Sequence, residues 1–316
     1  MTGTASGRVP PPPPDLGLRA AEPLARHTYL RLGGPAGYYA EPADRAALER
    51  MLSWASEAGV AVRVIGGGSN LLVADEGWPG LVLSLRRCCG DLRWGGALGP
   101  TGVRAGAAVM LPALARSAAA RDLGGLEFAI GIPGSIGGAL QSNAGIGDGR
   151  SIGPLVGEVE VWRGGAAAAA PLDYGYRSTS LRGSGALVLG ATLRLTPRPR
   201  AEIEAEMRRL LQARQATQPT AERNAGSIFR NPPDDAAGRL IEAAGLKGLT
   251  VGGARVSGLH ANFIVHDGTA SAADVAALMA EVQRRVFAHA GVRLVPEIEW
   301  WGPGPRPEAF EIAGAG

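Results

Sequence analysis

Val64-Ile-Gly-Gly-Gly-Ser-Asn-Leu-Leu-Val73 (VIGGGSNLLV) runs an apolar segment into three glycines, Gly66, Gly67 and Gly68, and out through Ser69 and Asn70 into a second apolar segment. Short apolar runs bounded by glycine read as strands joined by a turn. Glycine supplies 48 of the 316 residues, so a shuffled chain of this composition holds a triple glycine about once, and the run alone proves nothing. A second glycine-rich loop, Gly131 to Gly138, opens the passage GIPGSIGGALQSNAGIGDG, which is neither helix nor strand by pattern. Neither loop fits the dinucleotide fingerprint GxGxxG or the phosphate loop GxxxxGK[ST]. Glycine turns let backbone N–H groups approach an anion closely, and Ser69, Asn70, Ser135 and Asn143 add donors suited to a pyrophosphate. Tight turns in a glycine-rich chain remain the competing reading.

The flanking sequence alternates strand and helix patterns. ADRAALERMLSWASEAG places Ala47, Leu48, Met51, Leu52 and Ala55 at helical spacing behind a capping Asp44 and stops at Gly59. Strands are expected at 61–65, 71–74, 81–85, 158–162 and 186–195, and a helix at 111–121. Pro197 to Pro199 mark a boundary, after which AEIEAEMRRLLQARQ, acidic first and basic last, forms a helix that opens a second region. That region continues with a helix over 234–244, a strand in ANFIVHD, a helix over 271–290 behind the capping box Ser271/Asp274, and a last strand in VRLVPEIEW. Residues 1–20 and 303–316 lack periodicity and are expected to be disordered tails. The alternation predicts an α+β protein, with a first domain over 21–199, in subdomains of about 21–86 and 87–199, and a C-terminal domain over 200–302.

Composition excludes several classes. Hydrophobic residues make up 46% and charged ones 19%, ordinary for a globular chain with cores of its own. The formal charge of +3 comes almost entirely from arginine, Lys247 being the only lysine, and no basic cluster is interleaved with aromatics, which argues against nucleic-acid binding. No run of 18 apolar residues offers a membrane span. Cys88 and Cys89 are neighbours and cannot close the loops of a disulfide scaffold, so a reducing, cytoplasmic setting is expected. No His/Cys/Asp/Glu set has metal-ligand spacing.

The motifs HTYLRLGGPA, VIGGGSNLLVADEGWPGLVL, GLEFAIGIPGSIGGALQSNAG, YRSTSL, GSIFRNP, AGLKGLTVGGARVSGLHANFIVH and LVPEIEWWG, in this order over about residues 25 to 302, resemble the UDP-N-acetylenolpyruvoylglucosamine reductase family of FAD enzymes in peptidoglycan synthesis. The resemblance implies an FAD-binding domain of the vanillyl-alcohol-oxidase type and a C-terminal domain that binds the UDP-sugar over the flavin. FAD, bound non-covalently, would be held by Gly66, Gly67, Gly68, Ser69, Asn70, Gly131, Ile132, Pro133, Gly134, Ser135, Gly138, Asn143 and Gly145. NADPH would be the co-substrate. Arg177, Ser227 and Glu297 fall on the family's catalytic motifs, and Tyr176, Arg230, Asn231, Lys247, His260 and Asn262 on motifs implied to touch substrate; by its residue type alone His260 reads first as a satisfied structural histidine. The residue types suit the chemistry, since reducing an enol ether that bears a carboxylate needs a cation for the developing enolate, an acid for the carbon that accepts a proton, and a carboxyl group to tune the site.

His27, Arg230 and Val295 depart from residues common in the family, and none removes a catalytic position. Only 50 positions separate Arg177 from Ser227, which leaves no room for the tyrosine-bearing insertion of one subtype, so the chain resembles the shorter subtype. A monomer acting on UDP-N-acetylglucosamine enolpyruvate is expected. The alternatives are an FAD-dependent oxidase of the vanillyl-alcohol-oxidase type and a flavin-binding module without chemistry.

Overall fold

The computed structural model describes residues 11–311. Six α-helices run in chain order as α1 (Arg45–Glu57), α2 (Leu111–Ala119), α3 (Ile136–Ser142), α4 (Arg200–Thr217), α5 (Ala237–Ala243) and α6 (Ala272–Ala290). Their ends follow local chemistry. Asp44 accepts the Ala47 N–H at 2.8 Å to start α1. Ser271 and Asp274 form the reciprocal capping box of α6, and Gly291, at φ 69°, ends it in the left-handed conformation.

Two sheets build the first region. In one, the segment Ala36–Ala40 lies between Arg19–Ala20 and Trp78–Leu83, and Val62–Val64 pairs parallel to the far side of Trp78–Leu83. The other is an antiparallel five-stranded sheet in the order Ala166–Ala170, Val156–Arg163, Leu187–Arg194, Gly102–Gly106, Leu92–Trp94. α2 and α3 pack against this second sheet around Leu111, Leu114, Ile136 and Leu140. A smaller core gathers α5, α6 and the three strands Thr250–Val251, Ala254–Val256 and Ile264–His266. Among the ties between the regions, Glu299–Trp301 pairs parallel with Leu71–Val73, directly after the first glycine loop, and Asp75 accepts the Ala272 and Ala273 N–H groups at the start of α6 at 2.8 and 3.0 Å.

Four expectations need correction. α3 forms inside the glycine passage, where the pattern offered no helix; the buried Ile136, Ala139 and Leu140 supply the packing that a glycine-rich sequence lacks in propensity. α4 does not belong with the C-terminal region by packing, because its only buried side chains, Ile203 and Met207, enter the first core. The division by core therefore falls near residue 218, not at 200. The last strand, Glu299–Trp301, takes in only the final two residues of VRLVPEIEW and runs one residue past it. The ends are ordered where they are described: Leu16 is buried in the first core, Arg19–Ala20 pair with Tyr38–Tyr39, and Ala309 and Phe310 bury themselves in the C-terminal core. Apolar anchors decide these segments, and their low complexity hid them. The rest of the expected tails, residues 1–10 and 312–316, lies outside the described residues.

Candidate active site

A single cleft of about 2050 Å³ runs between the two regions and is lined by both glycine loops, Arg177, Ser227 and Glu297. Sites for one small molecule span roughly 300–1,000 Å³, so this cleft has room for two nucleotide-sized ligands.

The glycines of the opening stretch are first a matter of packing. A Cβ on Gly66 would stand 2.4 Å from the Ser135 hydroxyl, and one on Gly67 2.9 Å from the Pro133 carbonyl, so the two loops lie back to back. Gly68 adopts φ 65°, and a Cβ there would come within 2.0 Å of the His27 carbonyl. The loop thereby turns its N–H groups outward: among the described residues, none of the five from Gly66 to Asn70 meets a protein acceptor. Five unclaimed donors on a loop that lines the cleft, three of them on glycines, suit an anion such as a pyrophosphate. Gly68→Ala is expected to lower the melting temperature and weaken flavin binding at least tenfold, read by thermal melts and flavin fluorescence; unchanged flavin affinity would remove the loop from the cofactor site.

Other polar residues assigned to the cofactor serve the frame. Asn143, buried and at φ 45°, donates to the Gly175 carbonyl at 2.8 Å and accepts the Gly153 N–H at 2.9 Å, which occupies its amide and fixes the segment leading to Arg177. Asn70 Nδ2 donates to the Glu297 carbonyl at 3.1 Å and so joins the first glycine loop to the segment that leads into Glu299–Trp301. Gly131 lies under the side chain of Arg214, while Ile132, Gly134, Gly138 and Gly145 stay open to the cleft.

Arg177 and Glu297, 120 positions apart, meet: Arg177 Nε donates to Glu297 Oε1 at 2.8 Å, and a terminal nitrogen of the same guanidinium donates to the Gly145 carbonyl at 2.9 Å. Arg177 itself holds φ 51°, an uncommon conformation for a side chain of this size and of the kind that clusters at functional sites. Burial pushes the Glu297 carboxyl above the usual carboxylate range, against the opposing pull of Arg177 and Arg230. Ser227 sits on the adjacent segment, whose next residue, Ile228, accepts the Glu297 N–H at 2.8 Å. Cation, carboxyl and hydroxyl thus share one wall of the cleft.

The substrate residues divide. Tyr176, exposed at the cleft, accepts the Asn231 N–H at 3.4 Å from across the domain boundary, and Asn231 Oδ1 accepts the Ala237 N–H at the start of α5. His260 Nδ1 accepts the Asn262 N–H at 3.2 Å, which leaves Nε2 as the donor of a ring whose pKa is held down by burial and by the charge of Lys247. Asn262 lines the cleft but has a structural role as well: its amide donates to the Phe229 carbonyl at 2.7 Å and accepts the Phe229 N–H at 2.9 Å, and the side chain is buried. Asn262→Ala is expected to cost about 1–3 kcal/mol, measured in denaturant, because it strands two buried groups beside Ser227. Arg230 and Lys247 do not line the cleft. Arg230 lies behind Glu297 with its Nε buried and unpartnered among the described residues, and Lys247 Nζ pairs with Glu242 at 2.7 Å.

Sequence reading passed over Arg214 and Arg182, which also line the cleft. Arg214 is largely buried at the second glycine loop, and burial lowers its pKa. In a chain whose basic residues are nearly all arginine, no pattern marks either one.

The comparisons with known proteins match this division of labour. A model of the FAD binding domain matches residues 36–162, the segment with both glycine loops, and a model of the UDP-N-acetylenolpyruvoylglucosamine reductase C-terminal domain matches residues 218–301, the segment that carries Ser227 and Glu297 and begins where the core divides. UDP-N-acetylenolpyruvoylglucosamine reductase 2 of Symbiobacterium thermophilum is 48% identical over 292 residues, covering 91% of this chain and 93% of that protein. The reductase of Synechococcus sp. (strain WH7803) is 45% identical over 298 residues, covering 90% and 93%. The crystal structure of the reductase (MurB) from Thermus caldophilus superposes with a TM-score of 0.73 at 38% identity, covering 90% of this chain and 99% of that one. With near-complete coverage on both sides and the cleft assembled from the same two modules, this chain belongs to the UDP-N-acetylenolpyruvoylglucosamine reductase family.

Proposed function

We propose that the protein reduces the enolpyruvyl group of UDP-N-acetylglucosamine enolpyruvate to give UDP-N-acetylmuramate for the cell wall, using FAD and NADPH. The observation that carries this reading is the Arg177–Glu297 pair set beside Ser227 in a cleft floored by the free N–H groups of Gly66 to Asn70. FAD fits that floor through its pyrophosphate, and neither glycine loop offers a histidine or cysteine for a covalent link. When bound, the flavin supplies the redox step, passing a hydride equivalent from NADPH to the terminal carbon of the enolpyruvyl double bond.

The chain's own residues do the rest. Hydride arriving at the terminal carbon leaves an electron pair delocalised from the adjacent carbon into the substrate carboxylate. The Arg177 guanidinium, held by Glu297 and the Gly145 carbonyl, is placed to stabilise that charge. Glu297, whose anion is disfavoured by burial, can sit near a second carboxylate at reduced repulsive cost. Ser227 gives its hydroxyl proton to the adjacent carbon and completes the saturated product.

The protein is expected to purify yellow, with flavin that denaturation releases into the supernatant; flavin that stays with the precipitated chain, or no flavin at all, sinks the cofactor assignment. Under anaerobic conditions NADPH is expected to bleach the flavin and the enolpyruvyl sugar to restore its absorbance. Restoration by oxygen alone, with an alcohol serving as the reductant, would favour the oxidase reading instead. Among the described residues no helix is long and apolar enough to cross a membrane.

A further inference from the structure

Positive charge at the catalytic end of the cleft exceeds what Glu297 balances. Arg177 pairs with Glu297, Arg230 lies behind it, and Arg182 completes the group from a turn that follows the catalytic arginine by five positions. The root of Arg182 is fixed: its N–H donates to the Thr179 carbonyl at 3.2 Å, the neighbouring Leu181 is buried, and Ser184 closes the turn through its N–H and hydroxyl to the Leu181 carbonyl at 3.2 and 2.8 Å. Its head turns back toward the ion pair, with Nη1 3.4 Å from the Arg177 carbonyl. Burial first, and then the charge of Arg182, lowers the pKa of Arg230; at Glu297 the same charge pulls against burial, which still holds that carboxyl up.

Among the described residues Arg182 has no carboxylate partner, whereas Arg63, Arg150, Arg177 and Arg239 each have one; Arg86, Arg163 and Arg214 in the same cleft are also without one, but only Arg182 reaches the backbone of Arg177. Three guanidinium groups around one carboxylate repel one another, and an incoming anion relieves that repulsion. A planar fork on a fixed root is also the geometry that grips two oxygens of one carboxylate or phosphate.

We propose that Arg182 is a ligand-binding and specificity residue that takes the carboxylate or phosphate oxygens of the molecule entering beside Glu297. This rests on the reductase reading, which supplies two sources of that chemistry: the enolpyruvyl UDP-sugar, with a carboxylate and a diphosphate, and NADPH, with a diphosphate and a 2′-phosphate.

The test uses the flavin-loaded full chain, wild type, Arg182→Ala and Arg182→Lys, in separate half-reactions with NADPH, NADH and the enolpyruvyl sugar. Arg182→Ala is expected to raise the half-saturating concentration of one anionic ligand by about 10- to 100-fold, the range of a lost charge-assisted hydrogen bond, with a smaller change in limiting rate. Arg182→Lys is expected to recover part of the loss, as charge is kept and the fork is not. A rise confined to the sugar assigns Arg182 to the sugar's anions; a rise for NADPH with NADH unchanged assigns it to the 2′-phosphate; a rise for both nicotinamides assigns it to their diphosphate. If all three constants stay within twofold of wild type, or all rise together only in step with a lowered melting temperature, the proposal is overturned. Failure of the wild-type flavin to be reduced by NADPH or reoxidised by the sugar overturns the reductase reading and this proposal with it; normal wild-type turnover with an indifferent Arg182→Ala variant overturns this proposal alone.

Discussion

Ser227→Ala is expected to slow reoxidation of the reduced flavin by the enolpyruvyl sugar by about 10²- to 10⁴-fold, the range for a lost general acid, while reduction by NADPH stays within a few-fold of wild type. The asymmetry follows from what each half-reaction asks of the chain. Moving hydride from a nicotinamide to a flavin needs no proton from Ser227, whereas saturating the enol ether does. The hydroxyl sits where such a role is served: half-buried at the cleft, on a turn tied by Asn224, which accepts the Gly226 N–H at 2.9 Å, and by the Ile228 carbonyl, which accepts the Glu297 N–H. Removing one oxygen leaves those backbone ties intact, so the melting temperature is expected to move little. Stopped-flow absorbance at the flavin band separates the two steps; equal losses in both would return Ser227 to a structural part in the turn.

The sequence exposed some of this arrangement and concealed the rest for definable reasons. Local chemistry was legible: Asp44 and the Ser271/Asp274 box mark helix starts, and the apolar runs around Gly66 to Asn70 mark strands. Position in a motif also pointed correctly to the cleft for Arg177, Ser227, Glu297, Tyr176 and His260. What a side chain does with its hydrogen bonds was not legible. Asn143 and Asn262 look like ligand residues on composition, yet their amides close on the backbone of Gly175, Gly153 and Phe229, partners up to 33 positions away. The same limit hid the packing of α4, whose exposed charges conceal that Ile203 and Met207 face the first core. In the glycine loops the reading missed the first cause of two glycines, since only the fold shows one loop leaning on the other.

Glu297→Gln is expected to cut the rate of sugar reduction by about 10²- to 10³-fold, the loss typical of removing one preorganised polar group from an active site, and at the same time to gain stability relative to wild type as pH rises towards neutral. The two effects have one origin. Glu297 is a carboxyl held in a buried position, and burial raises its pKa more than Arg177, at 2.8 Å, lowers it. A folded-state pKa above the unfolded value of about 4.3 means that the group's contribution to stability is full below that value and is lost as pH rises through the folded pKa. Glutamine does not titrate, and its carbonyl still accepts from Arg177 Nε. The stability of the variant relative to wild type should therefore climb with pH from about 4.3 upward and level off once Glu297 is ionised in the folded protein. Denaturant melts of both proteins across that range read the difference directly. A difference that stays flat with pH would mean that the ion pair compensates burial in full; one that falls would mean that the pair outweighs burial, and Glu297 would then act as a fixed counter-ion for Arg177 and not as a carboxyl strained for the reaction.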